Sequence, residues 1–116
     1  MIKNPILPGF NPDPSICRVE EDYYIATSTF EWFPGVQIHH SRDLVNWKLL
    51  GHALREKRLL DLVGVPSSGG IWAPALSYRD GLFYLCYTLV HQHEAATKDT
   101  PNFLTTAFSI DGPWSD

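Results

Sequence analysis

The residue best suited to chemistry lies in the stretch Asn11-Pro12-Asp13-Pro14-Ser15. Pro12 and Pro14 each fix their own φ and push the residue before them, Asn11 and Asp13, towards extended conformations. The spacing therefore predicts a carboxylate held on a stiff backbone. A general base needs such a carboxylate, because its geometry must be settled before its basicity matters. The same residue types also make ordinary polar turns, and these five positions alone leave both readings open. Aromatic residues make up 13% of the chain, with four Trp, five Tyr and six Phe. Such rings fill cores, and they also form the platforms on which sugar rings stack.

Other side chains compete for attention. His91-Gln92-His93 places two imidazoles on alternate residues, which share a face on a strand, as a metal pair would. The pair borders a loop and has no clear third ligand, so neither metal nor cofactor is expected. Glu31 reads as a solvated loop carboxylate. His39-His40 reads as partly buried strand surface. Cys17 and Cys86, the only cysteines, make neither a disulfide framework nor a zinc site, and both are predicted to be small buried hydrophobes.

The chain has 116 residues, 44% of them hydrophobic and 19% charged. That is enough apolar material for one core and too little charge for a disordered chain. The formal charge of −4, with no basic run, argues against a nucleic-acid surface. The cluster Arg55-Glu56-Lys57-Arg58 contains an acid and reads as a solvated face. No stretch approaches the 18 or so consecutive apolar residues of a membrane span. Met1-Ile2-Lys3-Asn4-Pro5 lacks the apolar core of a signal peptide, so a cytoplasmic protein is expected.

The elements that must position Asp13 read as strands. Apolar, aromatic and β-branched runs predict them at Ile16 to Val19, Tyr23 to Thr29, Val36 to His40 and Trp47 to Leu50. A second set is predicted at Ala75 to Tyr78, Leu82 to Leu89 and Leu104 to Ser109. Leu54 to Val63 is the one segment with helical spacing, but Gly64, Pro66 and Gly69-Gly70 crowd its end, leaving a loop with one helical turn. His91 to Asn102 reads as a polar loop.

The two sets repeat each other. Pro14, Ile16, Glu20, Tyr23 and Tyr24 match Pro74, Leu76, Asp80, Phe83 and Tyr84 at an offset of 60. Ser41, Asp43 and Trp47 match Ser109, Asp111 and Trp114 at offsets of 68, 68 and 67. The recurrence of Trp47 as Trp114 assigns both to packing. The counterpart of Trp72 is Pro12, which frees Trp72 from that structural explanation. A repeated unit of four strands suggests the blade of a β-propeller, with two similar hairpins in a sandwich as the alternative. Two units cannot close a ring of about 4–8 blades, so the pattern looks like the start of a larger protein.

Four motifs, Asn11-Pro12-Asp13-Pro14-Ser15, Ser28-Thr29-Phe30-Glu31-Trp32-Phe33-Pro34-Gly35, His39-His40-Ser41-Arg42-Asp43-Leu44-Val45-Asn46-Trp47 and Gly70-Ile71-Trp72-Ala73-Pro74, carry a resemblance. In this order and spacing they resemble the N-terminal part of family 43 glycoside hydrolases, most closely its β-xylosidases. The resemblance covers essentially the whole chain. It implies an all-β fold, the first two blades of a five-bladed β-propeller, with blade one at about 10–52 and blade two at about 70–116. The remaining blades and a C-terminal β-sandwich fall outside these residues.

The resemblance further implies an inverting hydrolysis that uses three carboxylates, with Asp13 as general base and Phe30 and Trp72 lining the sugar pocket. The acidity-tuning Asp and the general acid match no position here, so the chain alone is expected to be inactive. The implied reaction is release of xylose from the non-reducing ends of β-1,4-xylooligosaccharides. An α-L-arabinofuranosidase, or a non-catalytic carbohydrate-binding fragment, is the alternative. Expected partners are the oligosaccharide and either further polypeptide of the same enzyme or a second copy of the chain.

Overall fold

The computed structural model describes residues 1–116 and contains strands, turns and loops but no helix. β1 (Ser15–Val19), β2 (Asp22–Thr27), β3 (Gly35–Ser41) and β4 (Lys48–Leu54) form one antiparallel sheet in sequence order. β5 (Gly70–Arg79), β6 (Leu82–Val90) and β7 (Asn102–Ala107) form a second antiparallel sheet, again in sequence order.

The repeat is visible in the pairing itself. Ile16 faces Ile25, Cys17 faces Tyr24 and Arg18 faces Tyr23. Leu76 faces Leu85, Ser77 faces Tyr84 and Tyr78 faces Phe83. Every one of these pairs recurs at the offset of 60. Both hairpins turn through a left-handed acidic residue, Glu20 at φ +54° and Asp80 at φ +51°. Asp tolerates that conformation better than most residues, which suits Asp80 to such a turn; Glu20 has no such preference.

The later part of the repeat needs a correction. Tyr23 pairs with Ser41, but its counterpart Phe83 pairs with Ala107, not Ser109. The Ser-x-Asp turn itself does recur: Asp43 N–H donates to Ser41 Oγ at 3.2 Å and Asp111 N–H to Ser109 Oγ at 3.3 Å. In the second sheet the turn simply begins two residues after the strand has ended. The paired tryptophans also differ. Trp114 is buried in the core, where the Arg58 guanidinium donates to its carbonyl at 2.9 Å. Trp47 is half-exposed on an outer turn and donates its ring N–H to Leu44 O at 3.2 Å.

Several strand boundaries differ from the sequence reading: β7 lies two residues earlier than expected, at Asn102–Ala107 rather than Leu104 to Ser109, and three others shift for local reasons. β2 ends at Thr27 rather than Thr29, because Ser28 N–H leaves the ladder to donate to Pro12 O at 3.0 Å. β4 runs on to Leu54 through a bulge opposite Ile38 and His39. Leu50 is the extra residue and Gly51 absorbs the bend at φ +150°. β5 begins at Gly70 rather than Ala75, because a second bulge between Trp72 and Ala75 accommodates Pro74. Proline has no N–H to give a ladder, and a bulge is one of the few strand positions that tolerates it. After β4 the chain makes the single expected turn, with Leu60 N–H donating to Glu56 O at 3.0 Å.

One core runs through both sheets. It joins Ile38 and Leu54 of the first to Leu85 and Tyr87 of the second, with Leu59 and Leu60 of the connecting segment between them. Polar ties cross the same boundary. Tyr87 Oη donates to Leu59 O at 2.6 Å, and Leu76 N–H donates to Ser15 Oγ at 3.0 Å. Cys17 is buried as expected, but Cys86 is exposed. On β6 the side chains alternate, and Cys86 points away from the face that carries buried Leu85 and Tyr87.

Candidate active site

Asp13 does not adopt the extended conformation that Pro14 favours. Its φ is +53°, in the left-handed region. Asp reaches this region more easily than most residues, but before a proline it persists only when the surroundings impose it. The surroundings here are Ser28. Besides the bond from its N–H to Pro12 O, its hydroxyl donates to Asp13 Oδ2 at 2.9 Å. Ser28 is 1% exposed, whereas Asp13 is exposed and its Oδ1 has no hydrogen bond within the chain.

The same segment leads directly into Phe30. Thr29 Oγ1 accepts from Val36 N–H at 3.1 Å, which closes the loop from Thr29 to Val36. Phe30 is also left-handed, at φ +49°, and forms a reciprocal backbone pair with Ile71. Its N–H donates to Ile71 O at 3.0 Å and its carbonyl accepts from Ile71 N–H at 2.9 Å. This close approach depends on Gly70, whose φ is +77°, since a Cβ there would collide with the Phe30 carbonyl. The glycine of the Gly-Ile-Trp-Ala-Pro motif thus lets the second sheet seat Trp72 beside Phe30.

Phe30 and Trp72 meet edge to face, with ring centroids 6.5 Å apart at 65°. Trp72 is fixed by its ring N–H, which donates to Ser68 O at 2.8 Å. Phe10 lies against the other side of Phe30 at 5.8 Å, and His93 against Trp72 at 5.8 Å. The result is a row of four rings, Phe10, Phe30, Trp72 and His93. Asn11 sets the near end by donating from Nδ2 to Pro8 O at 3.1 Å, which curls the chain around Phe10. The His93 ring anchors the far end through Nε2 and Ser67 O, 3.0 Å apart. Glu31 is a strut: its carboxylate accepts from Ser68 N–H at 3.2 Å. A recess of about 240 Å³ opens between Phe10, Phe30, Glu31, Trp32 and Ser68. That is smaller than the roughly 300–1,000 Å³ of a complete small-molecule pocket.

Of the residues singled out in the sequence, Phe30 and Trp72 are in ring contact, and Asp13 is tied to the Phe30 segment through Ser28. Sequence reasoning missed Ser28, Phe10 and the placement of His93. One signal pointed to Ser28: Thr27-Ser28-Thr29 continues an apolar strand with three small hydroxyl residues, and all three are buried. Nothing local pointed to Phe10 or His93, since the ring that each one touches comes from a distant segment.

Comparison with known proteins identifies the family. The profile described as "Glycosyl hydrolases family 43" matches residues 2–116. A β-xylosidase of Bacillus subtilis is 63% identical over 115 residues, 99% of this chain and 22% of its own length. A non-reducing end α-L-arabinofuranosidase of Bacteroides ovatus is 50% identical over 115 residues, 98% of this chain and 21% of its own. The crystal structure of a xylan β-1,4-xylosidase from Bacillus halodurans superimposes with a TM-score of 0.98 at 64% identity. That match covers 100% of this chain and 22% of the solved one. The chain thus spans about a fifth of the length of these relatives.

Proposed function

Because the chain belongs to glycosyl hydrolase family 43, we propose that it supplies the general base and one wall of the sugar pocket in an exo-acting, inverting β-xylosidase. The substrate class is β-1,4-xylooligosaccharides, cut at the non-reducing end. One observation carries this reading. A carboxylate with one oxygen pinned and the other free is tied through Ser28 to the segment that presents Phe30, whose ring meets Trp72.

The chemistry follows from that arrangement. In an inverting hydrolysis, a base takes a proton from water as the water oxygen bonds to the anomeric carbon. The bond to the leaving oxygen breaks as an acid protonates it from the other side. The two carboxyl groups stand about 6.5–9.5 Å apart. In this reading Asp13 Oδ1, which has no hydrogen bond within the chain, takes the proton. The edge of Phe30 and the Trp72 ring offer apolar faces to the sugar's C–H surfaces. Glu31 is unsuited to the acid's part, because its carboxylate is engaged with the Ser68 backbone.

The test uses two proteins: the 116-residue chain, and the Bacillus subtilis relative with its matching segment replaced by this chain. On an aryl β-xyloside, the chain alone should show no significant hydrolysis and the graft should be active. Asp13→Ala in the graft should lower kcat at least ~10²-fold. Near-normal turnover by that variant would remove Asp13 from the role. A second reading, α-L-arabinofuranosidase, is favoured by the 50% identity to the Bacteroides ovatus enzyme. The ratio of activities on aryl β-xyloside and aryl α-L-arabinofuranoside decides between them.

A further inference from the structure

We propose that Ser28 is a positioning residue for the reaction, setting both the backbone and the carboxylate of Asp13 while touching no substrate. The inference rests on the reading of Asp13 as the base.

Three observations lead to it. First, Asp13 occupies a left-handed φ of +53° before a proline, a conformation that its own local sequence disfavours. Something outside residues 11–15 must hold it there. Second, Ser28 is the residue that grips it, and at two points. Its N–H fixes the peptide just before Asp13 through Pro12 O, and its hydroxyl fixes the carboxylate through Oδ2. The same hydroxyl also lies 3.5 Å from Pro12 O, at the outer limit of a hydrogen bond. Third, Ser28 is buried beneath Asp13, so it cannot reach a ligand, while Asp13 Oδ1 has no partner in the chain. A carboxylate bonded at one oxygen cannot spin freely about its side-chain torsions. Its free oxygen then keeps one aim, and aim is what proton abstraction from a bound water requires. Ser28 also sits two residues before Phe30, so base and sugar wall are set from one short segment.

The experiment uses the graft described above, with four proteins: unmodified, Asp13→Ala, Ser28→Ala and the double variant. Ser28→Ala should lower kcat at least ~10-fold while KM stays within about twofold, since a misaimed base slows chemistry without loosening the sugar. In the Asp13→Ala background, Ser28→Ala should cause no further loss, because there is no carboxylate left to aim. Ser28→Cys, nearly isosteric but a poor donor, should share the kcat loss, and it carries the comparison if the alanine variant does not fold. A residue that merely supports the fold would give the same loss in both backgrounds, or raise KM together with lowering kcat. Either result overturns the proposal, as does unchanged kcat in Ser28→Ala beside an inactive Asp13→Ala. If Asp13→Ala itself retains turnover, the base assignment falls and this inference falls with it.

Discussion

At the scale of single residues, the candidate site is built from positions where the backbone departs from its easy conformations. Asp13 and Phe30 are left-handed, and Trp72 opens a bulge. Such departures cost energy and are kept where the surrounding structure enforces them. Trp72 is the clearest case for testing the wall. In the graft, Trp72→Ala should raise KM ~5–10-fold through lost ring contact, with a smaller change in kcat; unchanged kinetics would return Trp72 to a packing role. Asp13, Phe30 and Trp72 could be singled out as candidates from the sequence, but the conformation of Asp13 could not be read there. The rule for a residue before proline predicts extended backbone, and the grip of Ser28, fifteen positions away, overrides it. Cys86 was misjudged for a related reason: an apolar run shows that a strand exists, and not which of its faces is covered.

Among the elements, the hairpin repeat was the most legible feature, because alternation and an acidic turn recur at one fixed offset. The start of β5 was not legible, since Pro74 marks a boundary by rule and the fold absorbs it in a bulge. The junction of the two sheets hinges on Gly70. Gly70→Ala should destabilise the protein by ~2 kcal/mol or more, combining a disfavoured φ with a collision at the Phe30 carbonyl. Chemical denaturation of the variant checks this; unchanged stability would mean that the junction can shift at little cost. The β3–β4 pair carries a pH dependence. Burial first, then neighbouring His52, pulls the pKa of His39 below its ordinary value. Burial first, then Arg55, does the same for His52. Both groups take up protons more readily unfolded than folded. Their contribution to stability is therefore full above about pH 6.5 and is lost as pH falls through the lower folded values. The melting temperature should drop between about pH 7.5 and 5.5, and His39→Gln should flatten the slope. An unchanged slope would assign the pH response to other groups.

For the whole molecule, the two sheets are consecutive blades of a β-propeller that share one core and leave other apolar surface open. Ile16, Leu49 and Leu50 are exposed on the first blade, and Phe103, Leu104 and Phe108 on or beside the last strand of the second. Surfaces of that kind drive association. The purified 116-residue chain should show a light-scattering mass above its 13.1 kDa monomer at working concentrations; a stable monomer would show that these faces tolerate water. The reciprocal amide pair of Phe30 and Ile71 has a consequence for how ligand and fold depend on each other. It stitches the sugar wall across a seam, so a chain whose blades have not docked has no wall to offer. On the proposed function, sugar is captured only by finished molecules, and once captured it works as a clamp, adding its own binding energy to the docked form alone. What the sugar protects is the seam between the blades, before any strand within them.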